Sequence, residues 1–226
     1  MVKKIFTYFI LPVAICGLVY LVVQSVMEPV NFNNATDARK KVAIERLKDI
    51  RTLQVAFKSE TGHFTSSLDS LKDFYNNGKI KVVMQIGSQD DSVAVANTQA
   101  LKKRNPKITP AQMYALYEQG QNLVFKIENE VFVRDTLFNN RPDFCIDSIA
   151  IIPFCGDSII MESAVKTVSG VKVPLFEASI PYKKLLKGLD NQLRINLDAE
   201  MEDMGRYPGL KVGSVTAPNN NAGNWG

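Results

Sequence analysis

The chain has little of the side-chain chemistry on which most enzymes depend. His63 is its only histidine, and its three cysteines show neither CxxC nor Cys–His spacing, so the sequence excludes a histidine-rich metal site and a zinc site. His63 follows Gly62 at a helix-ending turn, where a capping or surface role is favoured over general-base catalysis. The sequence contains no Gly-rich phosphate loop and no GxGxxG motif. We therefore predict that the chain is not an enzyme and has no catalytic, cofactor-binding or metal-binding residues.

The chain also lacks a strong excess of charge of one sign. It has 27 basic and 23 acidic side chains and a net charge of +4. A nucleic-acid-binding domain usually concentrates its positive charge on one face, so we expect no nucleic acid as a partner. The acidic residues Glu200, Glu202 and Asp203 are expected to form a solvated face, because nothing in the sequence indicates their burial.

The most informative feature is that residues 5–27 contain no charged side chain. This segment directly follows Lys3 and Lys4. A helix of this length reaches about 34 Å, enough to cross a hydrocarbon core of about 30 Å. A signal peptide has a shorter apolar core, of about 7–15 residues, and a cleavage site of small residues, which Met27 does not provide. We therefore predict an uncleaved transmembrane helix over residues 5–27, with membrane lipid as a partner.

The flanking charges predict how this helix is oriented. Lys3 and Lys4 favour a short N-terminal tip, residues 1–4, in the cytoplasm and a C-terminal domain in the periplasm. Three cations at positions 39–41 partly oppose that bias. Within the span, Gly17 is a candidate interaction site, because a residue without a side chain lets another membrane helix approach closely.

The segment after the span divides into a linker and a long soluble helix. Pro29 and a cluster of asparagines predict a break over residues 28–36. Residues 37–60 repeat apolar side chains at three- and four-residue steps, which predicts an amphipathic helix whose apolar stripe packs on a sheet. Any part of the stripe left exposed would be a partner face. Its candidate interaction residues are Leu47, Ile50 and Phe57.

The rest of the chain predicts an α+β domain over residues 37–213. Residues 37–120 are expected to be mainly helical and residues 121–213 mainly β, with a hairpin around Asn129. The fold class is therefore α+β, with one N-terminal transmembrane helix followed by a long helix packed on an antiparallel or mixed sheet.

Two features of the second half of the chain remain open. Cys145 and Cys155 either form a disulfide, which an exported domain would tolerate, or remain as two thiols in neighbouring strands. Residues 214–226 are uncharged, small and polar, which predicts a disordered tail. Trp225 is the one residue of that tail that offers an anchor for a partner or a membrane interface.

One stretch of the chain resembles a known family. The residues RLKDIRTLQVAFKSETGHFTSSLDSLKDF, positions 46–74, resemble the first soluble stretch of type IV pilins and secretion pseudopilins. The resemblance implies a membrane helix, a soluble helix packed on an antiparallel sheet, and subunits that assemble through their apolar helices. The whole chain is also similar to single-span envelope proteins of the Bacteroidota, which implies a location in the cell envelope.

These observations lead to two hypotheses for function. The first is a single-pass inner-membrane scaffold or assembly component of a pilus-like or secretion-like machine, with other envelope proteins or further copies of the chain as partners. Because the apolar run carries no acidic residue before Glu28, we expect a fixed tether rather than the core of a filament. The second hypothesis is a membrane-tethered periplasmic sensor or ligand-binding module, with a small pocket in the β-rich half.

Overall fold

A computed structural model describes residues 11–225 of the chain. Its first element is the helix α1, Leu11–Thr61, whose 51 residues include Pro29. At 1.5 Å per residue, this helix is about 77 Å long. It ends where the sequence indicates, because Gly62 adopts a φ of 79° and its N–H bonds to the carbonyl of Lys58 at 2.8 Å.

The prediction of a linker over residues 28–36 is wrong, because α1 continues through that segment without a break. Proline and asparagine disfavour a helix locally, asparagine by about 0.7 kcal/mol or less per residue. However, Phe32 and Thr36 are 7% and 3% exposed, and the burial of one phenylalanine contributes about 1.5–3 kcal/mol. Tertiary packing therefore outweighs the local preference and holds the helix together.

The chain folds into two compact units. The first, here called the sheet unit, contains residues 11–55, 63–68 and 145–225. The second, here called the ribbon unit, contains residues 56–62 and 69–144.

The sheet unit is built on a three-stranded antiparallel sheet of β3 (Ile160–Val168), β4 (Val171–Pro181) and β5 (Gly209–Gly213), with β4 in the centre. Helices α6 (Tyr182–Leu185) and α7 (Asn191–Asp203) lie between β4 and β5 in the chain. The alternating residues Phe176, Ala178 and Ile180 of β4 are buried. In α1, a stripe that recurs at helical spacing is also fully buried: Ala43, Leu47, Ile50 and Leu53. The stripe and these residues of β4 both belong to the buried core of the sheet unit.

The ribbon unit contains α2 (Leu68–Asn77), β1 (Lys79–Ile86), α3 (Ser92–Arg104), α4 (Pro110–Glu118), β2 (Phe125–Phe132) and α5 (Val133–Thr136). β1 and β2 pair antiparallel along their whole length, from Lys79 opposite Phe132 to Ile86 opposite Phe125. Met113, Leu123 and Phe125 form a small core at one end. The predicted hairpin around Asn129 is wrong, since Asn129 lies inside β2 and pairs with Val82 of β1.

The fold is therefore α+β, with a long N-terminal apolar helix and two small antiparallel sheets. The half that the sequence predicts to be mainly β, residues 121–213, contains β2 to β5 together with the helices α5, α6 and α7.

The prediction of a disordered tail over residues 214–226 is wrong for the part that the structure describes. The Asn224 side chain accepts the N–H of Lys211 and donates to the carbonyl of Gly209, each at 2.9 Å. The Gly213 N–H bonds to the carbonyl of Ala222 at 3.0 Å, and Asn224 donates its own N–H to Lys211. Composition predicts disorder because the tail has little apolar surface to bury, whereas hydrogen bonds to the open edge of β5 order it.

Candidate functional site

The outer part of α1 exposes apolar side chains along its length. Val13 is 70% exposed and Leu18 is 63% exposed. This helix is long and apolar enough to cross a membrane, and the apolar window is not buried within the structure. These features are compatible with a single-pass membrane protein. Gly17 leaves open space beside the helix: apart from its chain neighbours and the adjacent helix backbone, no atom lies within 4 Å of the position of an added Cβ. Lys3 and Lys4 lie outside the described residues.

A loop of the sheet unit lies beside the end of this apolar run. A groove is lined on the helix side by Gln24, Met27, Glu28 and Asn31, with Phe32 and Ala35 one turn further on, and on the loop side by Gly188, Leu189 and Asp190. Leu189 is half-buried there. The loop therefore reaches the level of the last apolar turn of α1.

Arg39 of α1 fastens this loop to the helix. Its Nη1 donates to the carbonyl oxygens of Leu185 and Lys187, both at 2.9 Å. Its guanidinium also lies 5.1 Å from the centre of the Phe154 ring, a distance suited to a cation–π interaction. These bonds satisfy carbonyls at the C-terminal end of α6, which has no helical partner for them. Arg39 therefore acts within the fold, in addition to adding charge near the span.

Tyr182, at the start of α6, packs against Lys40, the residue that follows Arg39 in α1. The Lys40 ammonium lies 5.0 Å from the centre of its ring. Burial raises the pKa of Tyr182, and the negative charges of Asp198 and Asp37 raise it further, so the phenol stays neutral at neutral pH. Asp198 in turn forms an ion pair with Arg194 of α7.

A second groove of the sheet unit is lined by several basic side chains. Its lining contains four cations, one carboxylate and three apolar residues: the cations are Lys183, Lys184, Lys187 and Arg194, the carboxylate is Asp157, and the apolar residues are Pro181, Leu186 and Leu189. Lys183 and Lys187 are exposed. Lys184 lies 3.9 Å from a carboxylate oxygen of Asp157. We call Lys183, Lys184 and Lys187 the lysine patch.

The interaction residues predicted on the apolar stripe of α1 do not all have the same environment in the structure. Leu47 and Ile50 are 0% exposed. Neither offers any surface to a partner in this structure, because both side chains are part of the core. Phe57 is half-buried and packs edge to face on Phe74, with ring centres 5.3 Å apart and planes at 82°. The expectation that the stripe packs into the core agrees with the burial of Leu47 and Ile50.

Trp225 is packed within the sheet unit. It is half-buried and lines an open cleft of about 500 Å³ with Lys40, Lys48, Tyr182 and Asn224. Its role as an anchor for a partner stays a prediction. Nothing in the local sequence predicts this position, because it depends on the hydrogen bonds of Asn224 to β5.

The two cysteines near the centre of the chain are free thiols. Cys145 is exposed and Cys155 is half-buried. The disulfide that the sequence left open is therefore not formed in this structure.

Among residues 11–225, no group of three His, Cys, Asp or Glu side chains is placed to hold a metal ion. The chain matches no protein-family model, no curated protein and no solved structure with which it was compared.

Proposed function

We propose that the chain is a single-pass membrane scaffold, an assembly component of a cell-envelope machine. The observation that carries this proposal is that one helix, α1, supplies both the exposed apolar segment and the buried stripe of the sheet unit. The protein is anchored through the outer part of that helix. Its sheet unit is built directly on the inner part.

This arrangement suits a rigid support. A flexible linker would let a domain rotate freely above the membrane, whereas the Leu47 stripe and the Arg39 bonds tie the sheet unit to the anchoring helix. Removal of one buried leucine typically costs about 2–5 kcal/mol, so separation of helix and sheet would unfold the unit. The span therefore determines the orientation of the sheet unit.

The proposed location and the proposed kind of machine rest on sequence features. Lys3 and Lys4 favour a cytoplasmic N-terminus and a periplasmic C-terminal domain in the inner membrane. The resemblance of residues 46–74 to pilins and pseudopilins supports a role in a pilus-like or secretion-like assembly. A non-enzymatic role agrees with the small number of side chains suited to catalysis, since His63 is the only histidine of the sequence.

The ribbon unit offers further support for protein partners. Three consecutive residues of β1 are exposed and apolar: Val82, Val83 and Met84. Exposed apolar strands are typical of interaction surfaces, since an uncovered strand otherwise promotes aggregation.

The experiment that tests the proposal is site-specific photo-crosslinking of the full chain in native membranes. A photoreactive residue at Val83 is expected to give discrete adducts with envelope proteins or with a second copy of the chain. The matched control is Val93, which is also exposed and belongs to α3 of the same unit. Recovery of only monomeric chain from both positions would contradict a scaffold role, as would release of the chain from membranes by alkaline carbonate.

A sensor or ligand-binding function is the second candidate, and the cleft beside Trp225 favours it. Because the chain has one tryptophan, its fluorescence reports on that cleft directly. A saturable change in fluorescence with cell-wall fragments or metabolites, abolished by Lys48→Gln, would support this candidate. Unchanged fluorescence across such a panel would count against it.

A further inference from the structure

We propose that two copies of the chain pair through the outer edge of β1, antiparallel strand against strand, and so join their ribbon units into one four-stranded sheet. This inference rests on the scaffold role proposed above and names its partner, which is a second copy of the chain. The contact is made by residues 82–86.

The first argument is that the outer edge of β1 is open. The Lys81 N–H donates to a carboxylate oxygen of Glu60 at 3.1 Å, so it points away from β2. Alternate residues of a strand direct their backbone groups to the same side, and the N–H and C=O groups of Val83 and Gln85 therefore lie on this edge as well. Among residues 11–225, these groups have no hydrogen-bond partner on that side. Glu60 thus covers one end of the edge and leaves the rest uncovered.

The second argument is the difference between the two outer edges of the ribbon unit. Glu130 lies opposite Lys81, so its backbone groups also point outward. The outward residues of β2 are therefore Glu130, Glu128 and Lys126, which are charged and exposed. Charged side chains protect an open edge against pairing with another strand. The edge of β1 has no such protection over residues 82–86, which are uncharged.

The third argument is that this edge matches itself. An antiparallel pairing centred on Met84 places uncharged residues opposite each other: Met84 opposite Met84, Val83 opposite Gln85, and Val82 opposite Ile86. Val83 and Gln85 then exchange four backbone hydrogen bonds between the two copies. A two-fold contact between identical subunits requires this kind of self-complementary surface.

The same register leaves the existing contacts of β1 intact. Lys81 falls opposite Gly87 of the other copy, so no charged side chain faces another one. The bond from Lys81 to Glu60 is retained, because the pairing uses only backbone groups beyond Lys81. The pairing with β2 is on the opposite side of the strand and is unchanged.

The fourth argument is the apolar face that the pairing extends. Met84 lies opposite Ile127, and Ile86 lies opposite Phe125. Phe125 belongs to the core of the ribbon unit, against which Ile86 and Ile127 pack. Val82 and Met84 continue this face beyond the core and are 38% and 44% exposed. A two-stranded ribbon is marginally stable, whereas three or more strands with an apolar face are stable, so the second copy supplies the strands that the ribbon lacks.

The first test is disulfide formation by the full chain in native membranes. Cys16 and Cys145, the two exposed thiols, are changed to serine in every variant. Met84→Cys places two thiols at a pair whose Cα atoms are about 4.5 Å apart, within the range of about 4.4–6.8 Å that a disulfide spans. The matched control is Asn129→Cys, because Asn129 is exposed on the same face but belongs to β2. We expect at least about tenfold more disulfide dimer from Met84→Cys.

The second test exchanges charges at the centre of the pairing. Two differently tagged copies are co-expressed, and the recovery of one with the other is measured. If both carry Met84→Lys, like charges lie opposite each other, and recovery should fall about fivefold. Met84→Lys in one copy with Met84→Glu in the other should restore it, because opposite charges attract across the pair. Such a rescue excludes misfolding as the cause, and the same changes at Asn129 should have no effect.

The outcomes separate the pairing from the proposed function. Adducts of Val83 with other envelope proteins, with no dimer of Met84→Cys, would overturn the pairing and leave the scaffold role standing. Equal amounts of dimer from Met84→Cys and Asn129→Cys would also overturn it, as would failure of the lysine–glutamate combination to restore recovery. A Met84→Cys dimer in chain that alkaline carbonate releases from membranes would support the pairing and overturn the anchoring.

Discussion

The two parts of α1 differ in what surrounds them, although they belong to one helix. The outer part, residues 13–30, exposes nearly every apolar side chain, while the inner part, residues 31–61, buries an apolar stripe together with three polar side chains, Thr36, Asp49 and Gln54. Leu18 is 63% exposed and Leu47 is 0% exposed. The comparison teaches that the same residue type forms the core in one part and stays exposed in the other, as the proposed membrane anchor requires.

The largest expected effect tests this contrast with one kind of substitution. Leu47→Ala removes buried methyl groups and leaves a cavity, so we expect the free energy of unfolding to fall by about 2–5 kcal/mol. Leu18→Ala is the matched control in the outer part and should change it by less than about 0.5 kcal/mol. Denaturant unfolding of the solubilised chain, followed by Trp225 fluorescence, measures both. Equal effects would contradict the division of the helix into anchor and core.

The next effect concerns the bonds that connect the inner part to the 186–190 loop. Arg39→Ala leaves the carbonyls of Leu185 and Lys187 without their donor, and we expect a loss of about 2 kcal/mol. Lys41→Ala removes a cation two residues away and is the control, since Lys41 is exposed. Hydrogen exchange should show faster opening of residues 183–189 in Arg39→Ala alone. Unchanged exchange there would rule out the role given to Arg39.

A smaller effect lies where the two parts of the helix meet. Pro29 has no N–H, so it removes one helical hydrogen bond within α1. Pro29→Ala restores that donor and should stabilise the surrounding turns by about 1 kcal/mol. Slower exchange of residues 25–33 in the variant is the expected result. No change in these amides would indicate that the segment is not helical.

The smallest effect depends on pH. The pKa of Tyr182 is raised in the folded chain from its ordinary value of 10.0, so the folded state holds the phenol proton more tightly than the unfolded state. The stability associated with this group is therefore complete below pH 10.0 and is lost as the pH rises through the folded pKa. Tyr182→Phe should flatten this part of the stability curve. A curve that stays as steep in the variant would assign the loss to other groups.

The sequence predicted the features that depend on local periodicity. Ala43, Leu47 and Ile50 recur on one face of a helix, and that spacing alone places them in the core. Gly62 ends the helix for an equally local reason, since it adopts a positive φ.

The sequence failed where distant residues decide the structure. Pro29 indicates a break, but Phe32 is buried in the fold and keeps the helix intact. Asn129 resembles a turn residue, but its strand pairs with β1 across two intervening helices. Asn224 lies in a tail of disordered composition, but it bonds to β5. The lysine patch was missed for the same reason, because its position beside α1 depends on contacts between residues far apart in the chain.

The central claim is that the span and the core of the sheet unit share one continuous helix. Hydrogen exchange of residues 30–36, in the full chain inserted in nanodiscs, tests it most directly. A continuous helix predicts that these amides exchange as slowly as those of residues 42–50. Residues 30–36 could instead exchange at the rate of an unstructured peptide while residues 42–50 stay protected. That result would contradict a continuous helix and indicate the flexible linker that the sequence predicts.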